Sequence, residues 1–306
     1  MQIALAGIGT IAKAQHVPSI AGDPDWHLAA TLSRNGRIAD VPGYQSLDAM
    51  LAAHPEITTV SLCLPPVPRF AVAAEALIAG RHVMLEKPPG ATLSEVRYLA
   101  DLAQANGVTL FTSWHSRAAQ MVPAAKAWLA GKTLRKLRVT WKEDVRHWHP
   151  GQAWIWEPGG MGVLDPGINA ISIVTEILSE PIHITSATLE VPENAQTPIA
   201  ADLQFWHPSA EVSMVCDWRQ EGDQTWTIEA VCDDGQMVLA DGGARMIVDG
   251  TEQLADGPDD GEYPRLYKQM ADLVRAGRSD VDLAPMRHVS DALALGHRIT
   301  VAPFED

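Results

Sequence analysis

Between Trp141 and Asn169 the chain gathers Glu143, His147, Trp148, His149, Trp154, Trp156, Glu157 and Asp165. A tryptophan buries a wide flat face while its indole N–H still needs a partner. Carboxylates and imidazoles orient hydroxyl groups through paired donors and acceptors. A hydroxyl-rich ligand, a carbohydrate, is what that composition would recognise. The plainer alternative is a sheet plugged by tryptophans, with the histidines bonded locally. The stretch closes on Glu157-Pro158-Gly159-Gly160-Met161-Gly162-Val163-Leu164-Asp165-Pro166-Gly167-Ile168-Asn169 and an apolar run to Leu178. That pattern predicts a helix with Asp165 as its N-cap and Pro166 as its first helical residue. Asp165 and Asn169, four residues apart, then share one face at the positive helix end, where an anion or a developing oxyanion is stabilised. The three glycines just before it would let a ligand approach the backbone closely.

A second group lies near the N-terminus. The apolar strand Gln2 to Ala6 runs into Gly7-Ile8-Gly9-Thr10-Ile11-Ala12 and a helical stretch to about Ile20. In this G-x-G-x-x-A turn the first glycine permits the tight bend and the second lets a pyrophosphate approach. The small third position lets the helix pack on the sheet. The next strand, Trp26 to Ser33, ends in Ser33-Arg34-Asn35, without the acid that an NAD-specific fold sets against the ribose 2′-hydroxyl. Arg34 suits a 2′-phosphate instead, with Ser33 adding a hydrogen bond, so NADP is the expected cofactor with NAD also accepted. Ligands of open α/β sheets bind outside the carboxyl ends of the strands. Two further runs end there, Leu64-Pro65-Pro66 and Glu86-Lys87-Pro88-Pro89-Gly90, which puts Lys87 beside the cofactor's reactive end. The expected dinucleotide contacts are therefore Gly7, Ile8, Gly9, Thr10, Ile11, Ser33, Arg34, Leu64, Pro65, Pro66, Glu86 and Lys87.

The elements that must carry these residues fall into two patterns. Up to about residue 117, strands (Thr59 to Leu64, His82 to Glu86, Thr109 to Ser113) alternate with helices (Leu47 to Ala53, Arg69 to Ala79, Leu93 to Ala105). Such alternation means an α/β, doubly wound parallel sheet of Rossmann type. After a helix to about Ala130 come successive strands: Lys136 to Trp141, Ile182 to Val191, Ala200 to Trp206, Val212 to Trp218, Trp226 to Val231, Met237 to Ala240 and Met246 to Val248. These predict an α+β domain on a large, mainly antiparallel open sheet, with a hairpin turn at Asp233-Asp234-Gly235. Helices from Glu262 to Ala276 and from Pro285 to about Thr300 close the chain. The expected division is a dinucleotide-binding domain over residues 1–117 and a substrate-binding domain over 118–306.

With Gly7-Ile8-Gly9, Glu86-Lys87-Pro88 and Gly159-Gly160 followed by Asp165, the sequence resembles the glucose-fructose oxidoreductase, inositol dehydrogenase and MocA (Gfo/Idh/MocA) family along its whole length. Within that family, four runs look like the bacterial L-arabinose 1-dehydrogenases and D-galactose 1-dehydrogenases. They are Trp114-His115-Ser116-Arg117, Trp141-Lys142-Glu143-Asp144, Trp148-His149-Pro150-Gly151-Gln152 and Trp156-Glu157-Pro158-Gly159-Gly160. The resemblance implies NAD(P)-dependent oxidation of the anomeric carbon of an aldose to a lactone, and D-fucose, the 6-deoxy form of D-galactose with the same C2, C3 and C4 hydroxyls, is expected to react as well. It also implies Lys87 and Asp165 at the reacting centre and sugar contacts from His115, Glu143, His149 and Asn169; Trp148 is a further expected substrate contact. Many family members carry histidine where this chain has Asn169. Asparagine cannot act as a base, so proton transfer falls to Asp165 and Lys87. The chemistry calls for no metal, since the nicotinamide accepts the electrons. His147 and His149, two apart with no third matching ligand, do not suit zinc. Two alternatives stay open: a non-catalytic NAD(P)- and sugar-binding regulator on the same fold, and a dehydrogenase for another polyol or sugar.

Composition narrows the partners. A formal charge of −15 over 306 residues, with no compensating basic patch, disfavours nucleic acid and anionic membrane. Three cysteines without metal-ligand spacing fit a reducing cytoplasm. The N-terminus lacks the basic lead of a signal peptide, and no apolar run has the length of a membrane span. A small-molecule aldose is the expected partner, along with a second copy of the chain on the exposed face of the C-terminal sheet.

Overall fold

The computed structural model describes residues 1–305. In chain order its first elements are β1 (Gln2–Ala6), α1 (Val17–Gly22), β2 (His27–Leu32), β3 (Gly43–Tyr44), α2 (Leu47–Ala53) and β4 (Ile57–Leu62). They continue with α3 (Pro66–Ile78), β5 (His82–Glu86), α4 (Leu93–Ala105), β6 (Leu110–Ser113), α5 (Val122–Leu129) and β7 (Leu134–Lys142). Next come α6 (Val145–Trp148), α7 (Leu164–Ile177), β8 (His183–Pro192), β9 (Ala200–Trp206), β10 (Glu211–Asp217) and β11 (Thr225–Cys232). The chain ends with β12 (Gly235–Ala240), β13 (Arg245–Val248), β14 (Thr251–Gln253), α8 (Glu262–Ala276), α9 (Ala284–Leu295) and β15 (His297–Val301).

By their internal contacts the residues form two units, the first being Met1–His115 with Asp260–Asp282 and the second Ser116–Asp259 with Leu283–Asp306. A single cut after residue 117 therefore misses the return of α8 to the first unit. The first unit holds six parallel strands in the order β3-β2-β1-β4-β5-β6, a doubly wound sheet. Strand alternation splits its core. Ala4 and Ala6 join Met50 of α2, Leu77 of α3 and Leu99 of α4 in one apolar cluster, while Ile3 and Leu5 point the other way. On that second face Tyr267 of α8 reaches Ser61 of β4 with its hydroxyl at 3.3 Å, and α8 packs on α1. Local chemistry sets the helix ends. Thr92 and Glu95 form a reciprocal capping box at α4, and Gly277 closes α8 in the left-handed conformation.

The second unit is a nine-stranded sheet, β14-β13-β12-β11-β7-β10-β9-β8-β15. Most neighbours are antiparallel, but β10 with β7 and β15 with β8 are parallel. On β7, Leu137, Val139 and Trp141 are buried, while Lys136, Arg138, Thr140 and Lys142 point to the other face. The buried face is covered by helices, with α7 against β7 and β11, α9 against β8, and α5 and α9 against α7. Several helix ends differ from the sequence reading, and α3 begins at Pro66 and not at Arg69. The final helix stops at Leu295, and His297–Val301 becomes a strand beside β8, its β-branched Ile299, Thr300 and Val301 favouring extended backbone. α7 begins at Leu164, because Val163 already has helical dihedrals, so Asp165 sits inside the first turn and is not the cap.

Among the described residues no helix is long and apolar enough to cross a membrane.

Candidate active site

In the first unit the glycine-rich turn sits at the carboxyl end of β1. Gly7 has φ +88°, and a Cβ on it would stand 2.8 Å from the backbone nitrogen of Leu64, so the turn requires glycine on both counts. At Gly9 a Cβ would meet nothing within 4 Å, leaving open the space beside the backbone that a pyrophosphate needs. The loop after β2 is tied to itself. Ser33 Oγ accepts the Gly36 N–H at 3.0 Å, and Arg37 donates to the Ser33 and Gly36 carbonyls at 3.2 and 2.8 Å. The Arg34 carbonyl accepts from Gln45 at 3.1 Å, and Arg34 itself is exposed. These residues fit a dinucleotide.

At the end of β5, Glu86 is 5% exposed and stands at the centre of a buried polar cluster. Its Oε1 accepts from Tyr263 at 2.7 Å and lies 3.1 Å from His16 Nε2, and its Oε2 accepts the Lys87 N–H at 2.9 Å. His16 Nδ1 is 2.7 Å from the Tyr267 hydroxyl. Burial works strongly against the charge on Glu86, but the His16 hydrogen bond, the His16 and His115 charges and the Tyr263 hydroxyl together hold its pKa down at about 2. Lys87 follows, half-buried. His115 stacks on Tyr263 with ring centroids 5.5 Å apart, its Nδ1 2.6 Å from Glu262 Oε2. Burial lowers the His115 pKa, but the Glu262 carboxylate and, after it, Glu86 together raise it above the ordinary value, with Lys87 opposing the rise.

In the second unit Glu143 leaves β7 with a carboxylate only 3% exposed. Each of its oxygens has its own indole. Trp218 Nε1 donates to Oε1 at 3.2 Å and Trp226 Nε1 donates to Oε2 at 2.8 Å. His149 Nε2 stands 3.6 Å from Oε1. Trp226 is sandwiched by Trp141, stacked at 5.8 Å, and by Trp148, tilted at 5.0 Å and 41% exposed. Both oxygens keep lone-pair capacity toward a further donor, so the group presents a fixed double acceptor beside an exposed aromatic face.

The first turn of α7 carries Asp165, 2% exposed, and one turn on the half-buried Asn169. Two of the glycines before it are required by the protein's own chain. A Cβ at Gly160 would collide with the Trp154 carbonyl, and one at Gly162, where φ is +54°, with the Pro198 carbonyl. The structure thus brings Glu86, Lys87 and His115 together in one unit. In the other it brings Glu143, Trp148 and His149 together and sets Asp165 and Asn169 on one helix. Sequence reasoning missed Trp218, Trp226, His16, Tyr263 and Glu262. The two tryptophans read as strand core, and the only signal available was the demand of a buried indole N–H for an acceptor.

Residues 1–113 match the model of an oxidoreductase family with an NAD-binding Rossmann fold. The chain is 40% identical to the galactose 1-dehydrogenase of Pseudomonas fluorescens over 307 residues, covering 100% of this chain and 99% of that one. The crystal structure of a D-galactose-1-dehydrogenase from Rhizobium etli superposes with a TM-score of 0.94 at 52% identity, covering 99% of this chain and 97% of that one. A 3-ketoreductase of Actinomadura kijaniata, solved with NADP and TDP-benzene, shares the fold alone, with a TM-score of 0.84 at 15% identity over 98% of this chain and 99% of that one.

Proposed function

We propose that this chain, which belongs to the Gfo/Idh/MocA oxidoreductase family, oxidises the anomeric carbon of an aldose to the aldonolactone. D-Galactose is the leading substrate, and L-arabinose and D-fucose are further ones. The observation that carries the reading is the buried Glu143 carboxylate, held by two indoles beside His149 and Trp148, in a chain similar over its whole length to galactose 1-dehydrogenases. A carboxylate fixed in this way accepts from a pair of sugar hydroxyls, while the exposed Trp148 face stacks on the sugar's apolar side.

When bound, the oxidised nicotinamide supplies the hydride acceptor. Asp165 takes the proton of the C1 hydroxyl, and Lys87 supplies positive charge to that oxygen as the proton leaves. Asn169, which cannot act as a base, holds hydroxyls, as does His115. The dinucleotide is held by Gly7, Ile8, Gly9, Thr10 and Ile11, by Leu64, Pro65 and Pro66, and by Glu86 and Lys87. Ser33 and Arg34 favour NADP, with NAD also used, because no acid stands at the 2′ position. A second copy of the chain covers the sheet face that carries Lys136, Arg138, Thr140 and Lys142. The three free cysteines support a reducing compartment, the cytoplasm.

The test is kcat/KM for D-galactose, L-arabinose, D-fucose and D-glucose with each dinucleotide. The first three share their C2, C3 and C4 hydroxyls and should all turn over. D-Glucose, inverted at C4, leaves a buried polar group unpaired and should fall behind by roughly 10⁴-fold. Equal rates on D-glucose and D-galactose would refute a pocket that reads C4, and binding without turnover would point to a regulator.

A further inference from the structure

Arg69, in the first turn of α3, is 3% exposed, and its guanidinium is spread over backbone carbonyls. Nε donates to the Leu64 carbonyl at 3.0 Å, and Nη2 donates to the same oxygen. Nη1 donates to two carbonyls at once, those of Glu86 and Pro88. Leu64 lies in the turn after β4. Glu86 and Pro88 are the residues on either side of Lys87. One buried side chain therefore ties together the turns that leave two adjacent strands and brackets Lys87 from both sides.

Glu86 holds Lys87 as well. The Lys87 N–H is fixed to Glu86 Oε2 at 2.9 Å, and Glu86 Oε1 is fixed in turn by Tyr263 and His16. Buried carbonyls of irregular backbone need donors, and the planar fork of arginine satisfies several at fixed angles. A lysine ammonium is a point donor on a flexible stem and cannot reproduce that spread.

We propose that Arg69 is a positioning residue for Lys87, holding the turn after β5 against the turn after β4 so that the Lys87 ammonium acts from one place. This rests on the reading of Lys87 as a catalytic residue. A purely structural role would lower stability and the number of cofactor-binding sites but would leave the rate at each occupied site unchanged.

The experiment compares Arg69→Lys, Arg69→Gln, Lys87→Ala and the double variant Arg69→Lys/Lys87→Ala. Turnover of D-galactose is expressed per NADP-binding site, with the sites counted by tryptophan-fluorescence titration. An ångström of misplacement costs up to about a hundredfold in rate, so both Arg69 variants should lose roughly ten- to a hundredfold in kcat per site while the sugar KM moves less than about threefold. In the double variant the residual rate should equal that of Lys87→Ala, because a group acting only through Lys87 has nothing left to position. In the cofactor-free protein, Lys87 should be acetylated faster in Arg69→Gln than in the wild type. Wild-type kcat per site in either Arg69 variant overturns the proposal, as do additive losses in the double variant or unchanged acetylation. Loss of NADP binding in both Arg69 variants also overturns it, since Arg69 would then serve the dinucleotide turn alone. Near-normal turnover in Lys87→Ala would remove the catalytic reading of Lys87 itself, whereas an inactive Lys87→Ala beside fully active Arg69 variants removes only the positioning role.

Discussion

Trp226 and Trp141 offer a controlled measurement of what holds Glu143. The two rings stack on one another at 5.8 Å with planes 19° apart, and a Cβ at Gly242 would lie 3.7 Å from both. Their indole nitrogens differ. That of Trp226 donates to Glu143 at 2.8 Å, whereas that of Trp141 is buried and finds no acceptor among the described residues. Changing either residue to phenylalanine removes a similar ring volume, so most of the packing cost cancels when the two variants are compared. The hydrogen bond does not cancel. A bond to a charged acceptor is worth about 1.5 to 3 kcal/mol, and deleting a donor that never had an acceptor removes a desolvation penalty instead. At about 2 to 4 °C per kcal/mol for a domain of this size, the Tm of Trp226→Phe should lie roughly 3 to 12 °C below that of Trp141→Phe. The assay is thermal unfolding followed by near-UV circular dichroism, with the D-galactose KM measured in parallel. KM should rise about tenfold in Trp226→Phe, where one carboxylate oxygen loses its fixed donor, and stay near wild type in Trp141→Phe. Equal Tm losses in the two variants would refute the reasoning, since ring volume alone would then account for both.

Lys87→Ala and Asp165→Asn should each bind NADP nearly as well as wild type while turnover falls roughly a hundredfold or more, as acid–base groups usually show. Stopped-flow turnover beside fluorescence titration checks this, and near-normal rates in either variant would sink the assigned roles. Arg34→Ala should weaken NADP far more than NAD, because only NADP carries a phosphate for the guanidinium. Parallel KM values for the two dinucleotides decide it, and equal losses would show that Arg34 does not read the 2′ position. The Glu86 carboxyl, held at about 2 against an ordinary 4.5, favours the folded state above pH 4.5 and loses that contribution as pH falls toward 2. The shift corresponds to about 3 kcal/mol. Unfolding midpoints of Glu86→Gln should therefore decline less steeply over that range than those of the wild type, and parallel declines would count against it.

The first sheet was legible because its strands are short apolar runs between turn residues and its helices carry strong local signals, as at Thr92 and Glu95. The exact bounds of α2, β5 and α8 follow from such signals. What failed to show were features set by distant partners. His297–Val301 continues an apolar helical pattern and becomes a strand because β8 offers it an open edge. Asp165 has the chemistry of a cap, yet the turn at Gly162 and Val163 winds the helix before reaching it. The tryptophans at 218 and 226 alternate like core residues, and nothing local announces that both aim at Glu143, seventy-five and eighty-three residues earlier. His16 and Tyr267 meet across 251 positions, a separation at which sequence periodicity carries no information.

That last separation bears on how the protein is made. A ribosome releases residues 1–115 long before Asp260–Asp282, about 145 residues later in the chain. At roughly 5 to 20 residues per second the wait lasts on the order of ten seconds. Throughout it, Glu86 and His16 lack Tyr263 and Tyr267, and the face of the first sheet that carries Ile3 and Leu5 lacks α8. The nascent cofactor unit is thus an incomplete fold with an uncovered polar cluster, open to chaperones and proteases until Asp260–Asp282 has been made. Any transplant of that unit into another chain must carry both segments, since residues 1–115 alone would be held permanently in the state the nascent protein passes through.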